Sequence, residues 1–358
     1  MVFFSKNQVK DNETIVKKLK FQNILNLVYK GLIIIASSLI VFVLVYILYI
    51  LVDYSMPLIN KEGFSNIFAD KFSTNNPQSY GLWRFIEGTL LTSFYALFIA
   101  IPLSIGISLF ISQYTKDYRL KTSLKFLIEL IAAIPSVLIG FWGIYVLGPA
   151  LLDYHLIFSI PYITKVDIHL KLVEFLQSLH ITIGSFTLGI PYITTPQYGG
   201  TGSSIFTATI ALVIMIVPIV VSITVSIMDQ VPVLQKEAAL ALGATPWEMS
   251  RMTVVPQSLR GIIGALTIGF GRALGETMAV TMLIGGIYSH PITSLFDSGS
   301  SITAFIASSW AENADIPLIR ATLLELALIL MIISLIVNIF ARFLVSKSFS
   351  TGTGKMEG

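Results

Sequence analysis

Six long stretches of apolar residues recur along the chain, and polar segments that carry most of the charged residues separate them. A helix needs roughly 20 apolar residues to cross the hydrocarbon core of a bilayer, and each stretch meets that length. The pattern therefore predicts an all-α integral membrane protein. The six predicted spans cover residues 31–52, 88–113, 126–152, 205–228, 261–287 and 317–345. Prolines at 102, 135 and 218 fall inside spans, where membrane helices tolerate them if neighbours satisfy the freed backbone groups.

The composition agrees with a lipid environment. Of the 358 residues, 54% are hydrophobic and only 12% are charged, whereas a soluble domain carries roughly 25% charged residues. The chain has no cysteine, which excludes disulfides, thiolate catalysis and cysteine-based metal sites. Its four histidines show no ligand-like spacing, and no Ser/His or paired-Asp set lies within the spans. We therefore expect no catalytic residue, no metal site and no enzyme activity in this chain.

Lysine and arginine are distributed unevenly between the two sides of the predicted bundle. Sixteen lie in the N-terminal segment 1–30, in the loops after the second and fourth spans, and at the C-terminal end with its tail at 346–358. Five lie in the opposite loops. Since positively charged loops stay in the cytoplasm, both termini are predicted to be cytoplasmic. The membrane domain is then 31–345, with external segments at 53–87, 153–203 (a long insert) and 288–316 and a long cytoplasmic loop at 229–260.

The cytoplasmic loop 229–260 is patterned like two short helices joined by a bend. Residues 236–242 are strong helix formers, and Gly243 suits the left-handed position that ends a helix. Thr245 then suits an N-cap whose reciprocal partner is Glu248. Pro256 is expected to stop the second helix before the next span. Either a solvated loop or a docking surface for another protein fits this pattern.

An arginine and a glutamate fall inside the fifth predicted span. Arg272 is expected near the middle of the membrane, where an arginine costs about 2.5 to 3.5 kcal/mol on insertion scales. Glu276 follows four residues later, so a continuous helix would place both side chains on one face. Gly271 and Gly275 would leave room for a ligand or a close helix. Two interpretations stay open: Arg272 meets an anion on a translocation path, or the pair is structural.

The cytoplasmic loop resembles the EAA motif of ABC importer permeases. The matching residues are Glu237, Ala238, Ala239, Gly243 and Pro256. Thr253 and Val255 depart from the motif, which commonly has isoleucine and leucine there. In that family the loop forms a coupling helix that docks into a cleft on a separate ATPase subunit, and the resemblance implies the same role here.

Three other segments resemble the phosphate-specific ABC permeases called PstC. They are residues 271–280, 129–143 and 88–93. The sister permease PstA usually has Ala-Pro where this chain has Met278-Ala279. The resemblance implies the six-helix fold of type I ABC importer permeases (MetI-like) in a bacterial cytoplasmic (inner) membrane.

The resemblance also implies partners and a transported ion. A homologous second permease (PstA-like) would complete the path, and an ATPase dimer (PstB-like) would bind ATP and magnesium. An external phosphate-binding protein (PstS-like) would deliver the ligand. No cofactor and no nucleic acid is expected to bind this chain itself, and the run 352–355 lacks the spacing of a phosphate-binding loop. Arg272, Glu276 and Thr277 are the predicted substrate-path residues.

Three alternatives remain open from the sequence. The nearest is a permease of the same fold for sulfate, molybdate or an organic solute. A secondary transporter driven by ions is a second, although the EAA-like loop would have no purpose in it. An intramembrane enzyme is a third, but Glu129, Glu276 and Glu325 lie on three separate predicted helices.

Overall fold

The structure, a computed structural model, describes residues 6–73, 79–153, 181–183, 186–188, 202–292, 294–313 and 315–347. Nearly all of the predicted tail at 346–358 and most of the predicted insert at 153–203 lie outside these ranges. The chain divides into two compact units, Met1–Ser55 and Met56–Gly358.

Helices dominate the described residues. They are α1 (Lys6–Glu62), α2 (Trp83–Leu109), α3 (Tyr118–Ala132), α4 (Ser136–Trp142), α5 (Gly148–Asp153), α6 (Ile205–Asp229), α7 (Val233–Ala241), α8 (Pro246–Met249), α9 (Val255–Gly275), α10 (Met278–Leu283), α11 (Ile302–Asn313) and α12 (Pro317–Lys347). Wider π turns follow α2, α4 and α8 at Phe110–Tyr114, Gly143–Leu147 and Ser250–Val254, and a 3-10 turn covers Phe64–Phe68.

Two small antiparallel hairpins complete the described structure. In the first, β1 (Phe72–Ser73) pairs with β2 (Ser79–Tyr80), with Phe72 opposite Tyr80. The Phe72 ring also contacts Phe85 of α2 and Phe305 of α11 edge-on, which fixes the hairpin to those helices. In the second, β3 (Ile181–Ile183) pairs with β4 (Phe186–Leu188).

Four of the described helices are long and apolar enough to cross a bilayer, and a bent pair makes a possible fifth. The four are Asn26–Glu62, Trp83–Tyr114, Ile205–Asp229 and Pro317–Phe343, and they contain most or all of the predicted first, second, fourth and sixth spans. The predicted first span, 31–52, is the middle of the much longer α1. The total of six spans stays a prediction.

The predicted third span, 126–152, is sharply bent. After α3 ends at Ala132, the helix that starts at Ser136 runs at 83° to it. Pro135 adopts an extended conformation, with φ −59° and ψ 136°. Proline has no N–H to donate and disfavours helical geometry in the residue before it, so the helix ends there. The expectation that Pro135 would be tolerated within a continuous helix was wrong, whereas Pro102 and Pro218 do lie inside α2 and α6.

The predicted fifth span, 261–287, is interrupted. Helix α9 ends at Gly275, Glu276 is extended with φ −69° and ψ 125°, and the short α10 begins at Met278. The prediction of one continuous helix here was wrong, because hydropathy does not report where backbone geometry changes. The break falls among Arg272, Glu276 and Thr277, the predicted substrate-path residues.

Part of the predicted external loop 288–316 is buried, which hydropathy did not indicate. Residues 294–305 are all buried. The carbonyl oxygens of Leu295 and Asp297 accept hydrogen bonds from the N–H groups of Phe206 and Ile205, at 2.7 and 3.1 Å. The first amides of a helix have no partner within it, so this segment caps α6 from nearly 90 residues away. Its polar side chains are also satisfied: Asp297 Oδ2 accepts from the Ser294 N–H at 2.8 Å, and the Ser298 hydroxyl donates to the Ser203 carbonyl oxygen at 2.8 Å.

The same segment lies directly against the start of α2. A methyl group at Gly88 would lie 2.0 Å from the Ser300 carbonyl oxygen, so only glycine allows this approach. At the next residue, Thr89 Oγ1 accepts a hydrogen bond from the N–H of Ile302 at 2.8 Å. The segment is therefore an integral part of the packed domain.

The main core lies between α2, α6 and α9. Small residues on α2, including Ala96 and Ala100, are fully buried in it. On α9, a methyl group at Gly269 would lie 2.8 Å from side-chain atoms of Ile216 and Val220 on α6. Membrane helices associate largely through such close contacts, so the small residues set how near the three helices lie.

Candidate substrate path and coupling surface

The loop 229–260, predicted to be cytoplasmic, has the helix, bend and second helix that its sequence predicts. Helix α7 is followed by Gly243 at φ +90°, a conformation that a side chain makes costly. Thr245 Oγ1 accepts a hydrogen bond from the Glu248 N–H at 3.3 Å, and Glu248 Oε2 accepts one from the Thr245 N–H at 2.8 Å. Hydrogen bonds that the backbone N–H and the hydroxyl of Thr245 donate to the carboxylate hold the pKa of Glu248 below its usual value.

Pro256 does not stop the second helix, contrary to the prediction. The backbone stays helical from Pro246 through the π turn Ser250–Val254 into α9. Pro256 lies in the first turn of α9, where its missing N–H costs least. The N–H of Val255 bonds to the Ser250 carbonyl, and this wider π geometry precedes the proline ring. The loop therefore continues into α9 without a hinge at residue 256.

The surface of this loop exposes large apolar side chains. Leu242 is 91% exposed, Leu234 78% and Met252 73%, and Trp247 is more than half exposed. Of the EAA-like residues, Glu237 and Ala238 are exposed and Ala239 is half-buried. A cluster of apolar residues at an aqueous surface indicates a protein-binding site. The arrangement favours the docking interpretation of the loop over a solvated one.

The substrate-path residues lie at the break between α9 and α10. Arg272, Gly271 and Gly275 are exposed, and the two glycines face open space. No hydrogen bond or ion pair joins Arg272 to Glu276 or to any other residue that the structure describes. The helix ends between them, so the four-residue spacing does not place the two side chains together. The predicted ion pair is therefore not formed in this structure.

Glu276 and Thr277 instead begin the next helix. Glu276 Oε1 accepts a hydrogen bond from the Ala279 N–H at 3.4 Å, which caps α10. The hydroxyl of Thr277 donates to the Gly275 carbonyl oxygen at 3.3 Å. The last carbonyl groups of α9 and the first amides of α10 thus meet at this point. A broken membrane helix is tolerated where it is covered by protein or lines a water-filled cavity.

Thr303 is a residue of this region that sequence reasoning missed. Its hydroxyl donates to the Glu276 carbonyl oxygen at 2.9 Å, so the buried segment holds the break directly. Ser301 beside it caps α11, since its hydroxyl accepts from the Ala304 N–H at 3.1 Å. The run of small polar residues at 297–301 was the available signal, but it resembles an ordinary external loop.

The site offers a guanidinium group beside the break between α9 and α10. All five of its N–H donors are free for an anion or for a facing protein surface, as far as the described residues show. Among those residues, no group of three or more His, Asp or Glu could hold a metal ion. A guanidinium that bonds to no described residue can bind an anion, and a loop with exposed apolar side chains can bind another protein.

The family model for the inner membrane component of binding-protein-dependent transport systems matches residues 104–349. The chain belongs to this family, whose type I ABC importer permease fold (MetI-like) has several apolar membrane-spanning helices. The crystal structure of a bacterial ABC transporter involved in alginate import shares the fold, with a TM-score of 0.51 over 93% of this chain and 99% of that one, at 16% identity.

Within that class, the chain is similar to several proteins named phosphate transport system permease protein PstC. The chain is 34% identical to the phosphate transport system permease protein PstC of Haemophilus influenzae, over 76% of this chain and 78% of that protein. It is 33% identical to PstC 2 of Mycobacterium tuberculosis, over 86% and 87% respectively. This chain therefore covers most of the length of both relatives.

Proposed function

We propose that this chain is one permease subunit of an ATP-driven phosphate importer and forms half of its translocation path. The observation that carries the proposal is Arg272, exposed at a broken helix and without an ion pair among the described residues. An unpaired guanidinium within a membrane costs several kcal/mol, so an anion or a water-filled cavity must offset it. The planar group matches phosphate oxygens two at a time, and the similar proteins are named phosphate permeases.

Glu276 and Thr277 contribute at the same break in a different way. The Glu276 carboxylate follows Arg272 by four residues, on the other side of the break, and would accept a bond from a protonated phosphate that the guanidinium holds. Thr277 supplies a hydroxyl beside it. The Thr303 hydroxyl donates to the Glu276 carbonyl oxygen at 2.9 Å, which ties the break to the buried segment 294–305.

The coupling loop is the surface through which a separate ATPase dimer drives transport. The exposed side chains around Gly243 would enter a cleft on that subunit, with Glu237, Ala238 and Ala239 forming the close contact. ATP and magnesium bind there and not on this chain. A second permease covers the exposed face at Arg272, an external binding protein delivers phosphate, and both termini are cytoplasmic.

Arg272→Lys tests the substrate path. The variant keeps the charge but loses the paired donors, and a charge-assisted hydrogen bond contributes about 1.5 to 3 kcal/mol. We expect uptake of labelled phosphate, with ATPase and sister permease co-expressed, to fall by about ten- to a hundredfold. Arg342→Lys, at an exposed position on α12, is the matched control and should leave uptake unchanged.

A second variant separates transport from structure. Arg272→Met combined with Glu276→Leu removes both charges, and apolar side chains cost less than charged ones within a membrane. The double variant should insert and assemble but stay inactive. Recovered uptake would refute the path assignment. Competition by sulfate or molybdate as strong as that by phosphate would instead show that another oxyanion is the substrate.

A further inference from the structure

Asp229, the last residue of α6, lies at the centre of a small charge cluster. One carboxylate oxygen accepts from Lys121 Nζ at 2.7 Å and from Ser112 Oγ at 2.6 Å, and the other accepts from Lys125 Nζ at 2.8 Å. All three charged side chains are partly buried. Pairs of this kind are stronger than fully exposed ones, because water screens them less. The cluster ties α3 and the end of α2 to the end of α6.

The Asp229 cluster is joined to the coupling loop. Asp229 is followed within four residues by α7, the helix that carries the EAA-like residues. Lys236 of α7 donates from Nζ to the Met228 carbonyl oxygen at 3.5 Å. Movement of α7 therefore acts on the residue directly before Asp229.

Helix α3 leads from this cluster into the membrane. Its side chains Leu124 and Ile128 pack against Ile111, Val221 and Val225, so α3 follows the cytoplasmic half of α6. It then meets the 83° bend at Pro135. If α3 and α4 keep this bend, a shift of the end of α3 at the Asp229 cluster also displaces α4.

Beyond the corner, α4 lies against α10, the helix that starts at the break. A methyl group at Gly140 would lie 2.6 Å from Met282 Sδ, and one at Gly143 would lie 2.5 Å from Leu283 Cδ2. The two glycines thus leave no room for a side chain of their own against Met282 and Leu283. Helix α10 begins two residues after Glu276, so any displacement of α4 reaches the break.

We propose that Asp229, Lys121 and Lys125 are positioning residues that transmit movement of the coupling loop through α3 and α4 to the break at Glu276. The proposal rests on the function proposed above for the loop and the break. The residues touch neither substrate nor nucleotide. They fix α3 to the coupling loop, so that α3 and α4, which meet at the bend at Pro135, move together. Without the cluster, ATP hydrolysis would continue but would not move α10.

The test is the amount of phosphate taken up per ATP hydrolysed by the whole reconstituted transporter. Asp229→Asn keeps the size of the side chain and removes its charge, and we expect this ratio to fall at least about tenfold while ATP hydrolysis persists. Asp229→Glu should restore at least about half of it. Asp315→Asn removes the charge of an exposed carboxylate on another loop and controls for the loss of a charge. Lys125→Gln, at the most exposed member of the cluster, provides a second variant if Asp229→Asn does not assemble.

Two outcomes would overturn the proposal. One is an unchanged ratio in both cluster variants. The other is a parallel loss of assembled complex, ATP hydrolysis and uptake, which is what a purely structural role predicts.

A second readout does not depend on the substrate. Spin labels on cysteines introduced at Ser123 and Met278, in a chain without native cysteine, report the distance between α3 and α10. In the assembled complex ATP should shift that distance, and Asp229→Asn should abolish the shift. An equal shift in the wild type and in Asp229→Asn would refute the proposed transmission of movement, even if phosphate proved to be the wrong substrate. An absence of phosphate uptake by the wild type would instead count against the proposed function alone.

Discussion

Gly88→Ala is the most direct test of the buried segment that packs on α2. The added methyl group would lie 2.0 Å from the Ser300 carbonyl oxygen and 3.0 Å from its carbon. Ordinary carbon contacts are about 3.5 to 4.0 Å, so the segment must move by more than 1 Å or leave its site. Because the obstacle is backbone, no side-chain rotation relieves it.

The magnitude follows from the bonds that such a movement breaks. Forcing an extra methylene-sized group into a packed core costs about 1 to 3 kcal/mol. Displacing residues 300–303 also threatens the bonds from Ile302 N–H to Thr89 and from Thr303 to Glu276, each worth about 0.5 to 1.5 kcal/mol. Alanine gains about 1 kcal/mol over glycine in a helix. The net destabilisation is therefore about 1 to 5 kcal/mol.

Gly106→Ala is the matched control, because Gly106 lies on the same helix with open space around it. Its thermal stability in detergent should be unchanged or slightly raised. Gly88→Ala should unfold at lower temperature and should expose a cysteine placed at Ser301, which is 2% exposed in the native chain. Equal stability and equal labelling of the two variants would show that residues 294–305 are not packed as described.

Two further predictions concern the coupling loop and the orientation. Gly243→Leu should leave the chain inserted but abolish stimulation of the ATPase, because φ +90° costs a leucine about 1 to 2 kcal/mol. Gly243→Asn, which tolerates that conformation better, should retain stimulation, and a fully active Gly243→Leu variant would argue against the bend as a requirement. Cysteines introduced at Ser123 and Ser178 should react with impermeant reagents from opposite sides of the membrane. Labelling of both from one side would reverse the proposed topology.

Most of the helical pattern could be predicted because membrane spans leave a strong local signal. The apolar runs that became α1, α2, α6 and α12 need no knowledge of their neighbours. The bend at Gly243 and the capping box at Thr245 are also local, since each is decided within four residues of backbone. Prediction succeeded where the residues of one short segment determine the structure of that segment by themselves.

Prediction from the sequence failed where contacts between distant segments determine the structure. The polar residues around Asp297 look like a solvated loop, yet they are buried because α6 needs acceptors for its first amides. Arg272 and Glu276 have the spacing of a helical pair, but the break at Gly275 separates them. Nothing in the local pattern shows that Thr303, nearly 30 residues on, holds that break. Such tertiary hydrogen bonds are not visible to hydropathy or periodicity.

The uninterrupted path of helix from Pro246 to Gly275 has a mechanical consequence. At 1.5 Å per residue, these 30 residues form a rod about 45 Å long. One tip carries the capped turn at the cytoplasmic surface, and the other ends beside Arg272. Tilting a rod of that length by about 5° displaces its far tip by about 4 Å, which is larger than the diameter of a water molecule. If Arg272 lies on the proposed path, a small rocking motion at the capped turn would therefore be enough to widen or close a passage there.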